Sequence, residues 1–82
     1  MVIFELFGAQ YNNEQEIIDA GVRVIYNYCL VVNSRWRDIE HLMIEDARYG
    51  YRYALDVIKG RYEPELETLY LMRHSDSYYV GW

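Results

Sequence analysis

Two stretches of this chain align when one is shifted by 25 residues: Tyr26-Asn27-Tyr28-Cys29-Leu30-Val31-Val32 falls on Tyr51-Arg52-Tyr53-Ala54-Leu55-Asp56-Val57. A slip of one more residue brings Arg35-Trp36 onto Arg61-Tyr62. Both copies then enter an acidic, leucine-bearing stretch, Asp38-Ile39-Glu40-His41-Leu42 and Glu65-Leu66-Glu67-Thr68-Leu69. A truncated third copy begins at Asp76-Ser77-Tyr78-Tyr79, which echoes Asp46-Ala47-Arg48-Tyr49. Periods of this length are the signature of stacked supersecondary units, each too small to bury its apolar face alone.

The second copy reads as a helix. Ala47, Gly50, Tyr51, Ala54, Leu55 and Ile58 form one apolar stripe at helical spacing. Asp46 suits the N-cap, and Gly60 suits the left-handed residue past the end. The small residues Ala47, Gly50 and Ala54 would let a neighbouring helix come close. In the first copy, Val22, Val24, Tyr26, Tyr28, Leu30 and Val32 alternate as in a strand, yet Val22, Ile25, Tyr26, Cys29 and Leu30 also lie at helical spacing. The match to the second copy decides for helix, and a segment apolar on most sides predicts a central one.

Shorter helices are expected around these two. Asn13-Glu14-Gln15-Glu16 has the form of a capping box, Trp36, Ile39, Leu42 and Met43 share one side, and Pro64 suits a first turn. The expected fold is therefore all-α: a single domain of stacked helical hairpins, about two and a half units long. The units are residues 13–34, 35–60 and a truncated 61–82, with residues 1–12 as an N-terminal strand or irregular lid.

The segment from Asp46 to Glu65 resembles the short helical repeats of many uncharacterised phage and giant-virus proteins. Their pattern, Tyr-Ala-x-x-Val-(Ile/Leu)-Lys-Gly-Arg-aromatic, stands here as Tyr53, Ala54, Val57, Ile58, Lys59, Gly60, Arg61 and Tyr62. Here Glu63 separates the aromatic residue from Pro64, and the first copy has Asn33-Ser34 in place of Lys59-Gly60. The resemblance implies a viral, phage-like origin and no particular activity.

Composition narrows the function. A chain of 82 residues buries only about 60% of the surface exposed on unfolding, so its core is thin. Ten of those residues are Tyr, which combines apolar area with a polar tip and suits half-buried positions and interfaces. The net charge of −5 weighs against direct nucleic-acid binding and against anionic membranes. One cysteine, Cys29, permits no internal disulfide and fits a reducing compartment. The segment Met1-Val2-Ile3-Phe4-Glu5-Leu6-Phe7 lacks the basic start of a signal peptide, and the uncharged run from Val24 to Ser34 is too short to span a bilayer. A cytoplasmic protein, in the host cytoplasm if viral, is expected.

Catalysis finds no set of converging groups. His41 with Glu45, and His74 with Asp76, supply too few ligands for a metal. Cys29 has apolar neighbours and no group to lower its pKa, and no glycine-rich phosphate loop is present. No enzyme activity, cofactor or metal is expected. Arg35-Trp36-Arg37 places a ring between two cations, but Asp38 and Glu40 follow at once, so a structural role at the turn is expected.

The leading expectation is a non-enzymatic viral accessory protein that binds and inhibits or redirects a host protein, with a defence system as the natural target. Its partner-binding residues would be the aromatic anchors Trp36, Tyr49, Tyr53, Tyr78, Tyr79 and Trp82, ringed by Glu40, Glu45, Glu63, Glu65 and Glu67. Two alternatives stand beside it. The carboxylates, Asp46 among them, could imitate nucleic-acid phosphates in a basic groove. Or the apolar ends of the stack could make a self-associating, homo-oligomeric scaffold.

Overall fold

The computed structural model describes residues 1–74, and these are mostly helical with one small antiparallel sheet. Strand β1 (Phe4–Leu6) pairs with β2 (Ala9–Tyr11) in the register Phe4↔Tyr11, Glu5↔Gln10, Leu6↔Ala9. The two linking residues, Phe7 and Gly8, both have positive φ (51° and 85°). That is the geometry of a two-residue hairpin turn whose twist matches the strands. Of the two forms expected for residues 1–12, the N-terminal segment takes the strand, paired as a hairpin. Phe4 is its buried anchor, meeting the Tyr28 ring edge-on at 5.4 Å and the Tyr11 ring at 6.1 Å.

Helix α1 (Glu14–Ala20) opens where the capping pattern predicts. The Asn13 side chain accepts the Glu16 backbone N–H at 2.9 Å, and Glu16 in turn accepts the backbone N–H of Asn12 at 2.8 Å. The reciprocal bond falls one residue ahead of the usual capping-box position. Gly21 ends α1 and caps α2 (Val22–Val32) at φ 110°, a corner that a side chain would strain. The stretch Val22–Val32 is therefore helical, as the alignment of the two copies predicts. It buries Val24, Ile25, Tyr26 and Cys29 against α1, β1 and the later helix over Ala47–Ile58. Its last turn departs from expectation: Leu30, Val31 and Val32 are all exposed, Val31 at 70%.

A 3₁₀ turn (Arg37–Ile39) leads into α3 (Glu40–Met43), which buries Ile39, Met43 and Ile44. Asp46 then caps α4 (Ala47–Tyr53), accepting the Tyr49 N–H at 2.8 Å. The helix continues as a π-turn over Ala54–Ile58. The left-handed residue at its end is Lys59, at φ 60°, and not Gly60 as expected. Pro64 opens α5 (Pro64–Arg73) at its first position.

The small stripe on α4 accepts neighbours closely. The ring of Tyr70, on α5, lies against Gly50, where an added Cβ would stand 2.7 Å from the ring. The Tyr62 hydroxyl donates to the Gly50 carbonyl and that of Tyr70 to the Ala47 carbonyl, each at 2.5 Å. Tyr53, Tyr62 and Tyr70 stack in a row with successive ring centres 6.1 Å apart. Phenols supply both the apolar fill and the polar bonds of this thin core.

Candidate functional site

A buried polar cluster lies where the chain leaves α2 and meets the end of α4. Glu40 is only 1% exposed, yet its carboxylate is fully engaged. Arg35 grips it with two bonds, Nε to Oε2 at 2.6 Å and Nη2 to Oε1 at 2.9 Å. The Tyr53 hydroxyl donates to Oε2 at 2.9 Å and accepts the Trp36 backbone N–H at 2.8 Å. Arg35 also approaches Glu63 at 3.4 Å, and Arg37 reaches the same Glu63 oxygen at 2.6 Å. A buried carboxylate is tolerable only when paired and hydrogen-bonded in this way. The hydrogen bond to Glu40 raises the Arg35 pKa further, and burial raises that of Tyr53.

Beside this cluster lies a cleft of about 270 Å³, lined by Glu14, Tyr28, Cys29, Val32, Ser34, Arg35 and Trp36. Trp36 is half-buried and meets the Tyr28 ring edge-on at 5.6 Å. The Tyr28 hydroxyl donates to Glu14 Oε2 at 3.3 Å. The Cys29 thiol at the floor is buried, and burial, with Glu40 and Glu14 nearby, pushes its pKa up to about 12. A thiol held so firmly protonated is a poor nucleophile. Among the described residues no group of three or more His, Cys, Asp or Glu is placed to hold a metal ion. His41 is exposed, and a ring nitrogen of His74 lies 2.9 Å from the Ile44 carbonyl oxygen.

The structure redistributes the expected docking residues. Tyr53 and Glu40 are corrected from surface anchors to core: both are buried because they satisfy each other and Arg35. Tyr49 is half-buried, its ring 5.7 Å from that of Tyr26. Glu45 is exposed and pairs with Arg73, Glu63 pairs with Arg37 and Arg35, and Glu67 lies 3.7 Å from Arg61. Asp46 is used as a helix cap. Glu65 is exposed in the first turn of α5. Trp36 lines the cleft, while Tyr78, Tyr79 and Trp82 lie outside the described residues. Sequence reasoning missed Glu14 and Tyr28, which lie 14 positions apart and meet only because α1 folds back on α2.

Comparison with family models, with curated proteins and with solved structures found no match. No helix of the described residues is long and apolar enough to cross a membrane.

Proposed function

We propose that the chain is a protein-binding module built from similar helix pairs, and that it binds through the cleft and the exposed last turn of α2 beside it. Support for a recurring unit comes from matched contacts. Past α2, Asn33 is left-handed and Ser34 N–H bonds the Cys29 carbonyl at 3.2 Å; past α4, Lys59 is left-handed and Gly60 N–H bonds the Ala54 carbonyl at 3.1 Å. Cys29 and Ala54 are 25 apart, whereas Asn33 and Lys59 are 26 apart. The π-turn takes up the extra residue, which is how a one-residue insertion is held inside a helix. Each pair then carries an aromatic contact, Tyr28 with Trp36 and Tyr53 with Tyr62, followed by an ion pair, Arg35 with Glu40 and Arg61 with Glu67.

The observation that carries the binding reading is a mixed surface at one place. Val32 and Trp36 line the cleft, and Leu30 and Val31 continue the exposed apolar turn. Such a patch, with the Glu14 carboxylate at its border, is what a partner of moderate size would cover. The viral resemblance makes a host protein the proposed partner. The nucleic-acid-mimic reading loses ground, because most of its carboxylates are spent on internal arginines, a cap or the core. Self-association keeps one observation in its favour, the exposed Leu69, Leu71 and Met72 on α5.

The test is affinity capture from host lysate with the wild-type chain, Val31→Glu and Trp36→Ala, alongside Arg48→Ala as a surface control. A partner retained by wild type and Arg48→Ala but lost by the other two supports the reading. Retention by all four contradicts it, and concentration-dependent mass in sedimentation would favour self-association instead.

A further inference from the structure

Two Glu–Tyr pairs among the described residues differ in their cation: one holds an arginine and the other does not. Glu40 with Tyr53 is closed by the Arg35 guanidinium, in a two-bond grip at 2.6 and 2.9 Å. Glu14 stands 26 positions before Glu40 and Tyr28 stands 25 before Tyr53, and this pair too is joined by a phenol-to-carboxylate bond. The position 26 before Arg35 is Ala9, in β2, whose methyl group reaches nothing comparable. Among the described residues no cation pairs with Glu14, and the carboxylate borders the 270 Å³ cleft.

From this we propose that the cleft receives an arginine side chain of a partner protein, with its guanidinium on the Glu14 carboxylate and its stem along Tyr28 and Trp36. This deepens the protein-binding reading and rests on it. The chemistry matches at each point. A carboxylate accepts a guanidinium fork by two parallel bonds. The planar cation also packs favourably against indole and phenol rings. The Ser34 hydroxyl and the exposed Val32 border the same space, one polar and one apolar. The cleft is several times the volume of a guanidinium group and holds the aliphatic stem as well. Arg35 borders it from the other side, but its charge is already matched by Glu40 and Glu63. A lysine ammonium offers no planar fork and stacks less well, so the cleft discriminates between the two cations.

The experiment titrates the isotope-labelled full chain with three short blocked peptides that differ only at a central arginine, lysine or citrulline. Backbone and indole N–H shifts are the readout. The arginine peptide is expected to give saturable shifts centred on Glu14, Ser34 and Trp36, with lysine and citrulline weaker by about tenfold or more. Glu14→Gln should abolish the arginine effect while thermal unfolding stays close to wild type, and Asp19→Asn, at an exposed carboxylate of the same helix, should leave it intact. Equal binding of citrulline or lysine, an unchanged response in Glu14→Gln, or no response to arginine overturns the proposal. If the arginine response is absent but host-partner capture still depends on Trp36, only this inference fails and the module reading stands.

Discussion

Tyr53 donates its phenolic hydrogen to the carboxylate of Glu40 from 13 residues further along the chain, at 2.9 Å and out of contact with water. That bond joins α4 to α3. Arg35 completes the cluster and ties the loop after α2 to both.

Removing the cation should expose the cost of burying the carboxylate. Arg35→Met leaves Glu40 in the core with no charge partner, and a loss of roughly 3 kcal/mol or more is expected in urea unfolding. Arg37→Met removes a pair to Glu63 whose partners are 66% and 51% exposed, and should cost well under about 1 kcal/mol. Similar losses for the two would mean that Glu40 is not sealed from solvent.

The approach of α5 to α4 makes Gly50 irreplaceable. Alanine is the better helix former by about 1 kcal/mol. Here its methyl would lie 2.7 Å from the Tyr70 ring and 2.8 Å from the Met43 carbonyl oxygen. Gly50→Ala is therefore expected to lower stability, by about 1–3 kcal/mol as overpacked sites do. A rise in the thermal midpoint would show that the two helices are not so close.

Lys59 holds a left-handed backbone that costs an L-residue on the order of 1 kcal/mol. Lys59→Gly should relieve it and raise stability by about 0.5–1 kcal/mol, less than the full strain because glycine also loosens the unfolded chain. Gly60→Ala should be tolerated, since Gly60 has no positive φ and nothing lies within 4 Å of an added Cβ. The reverse ranking in thermal melts would place the helix end at Gly60.

Phenols should make the fold sensitive to alkali. Burial first, then the bond to Asp56, pushes the Tyr26 pKa up to about 12, and burial is also the main cause at Tyr28 and Tyr53, which are raised as well. Folded pKa values above those of the unfolded chain mean that the folded state binds protons more tightly. Stability is then fully present below the usual tyrosine pKa of about 10 and falls as pH climbs through the raised values. Tyrosinate absorbance should lag behind that of free tyrosine and then rise together with loss of helical circular dichroism. Titration of all ten tyrosines near the free value, with the fold intact, would contradict this.

Much of the local structure was legible in the sequence. Asn13, Asp46 and Pro64 each announced a helix start by local chemistry, and each does so in the structure. The helix over Val22–Val32 was decided by its likeness to the second copy, because alternation and helical spacing were both present in its residues. The helix end at Lys59 was missed although the one-residue slip between the copies marked an insertion, because glycine is the usual left-handed residue past a helix end and Gly60 stood next to it. The site was read least well. Exposure was assigned to Tyr53 and Glu40 from their polarity, but two polar groups that satisfy each other can be buried together. Glu14 and Tyr28 carried no signal until the chain brought them face to face.

One phenol–carboxylate pair is sealed by an internal arginine, and the other has no cation partner among the described residues. Double-mutant cycles on stability compare them directly: Tyr53→Phe with Glu40→Gln, and Tyr28→Phe with Glu14→Gln. The predicted result is a coupling of about 1.5–3 kcal/mol for the inner pair, as for hydrogen bonds to a charged group, and one close to zero for the outer pair. Equal couplings, or a larger one for Glu14 and Tyr28, would contradict it.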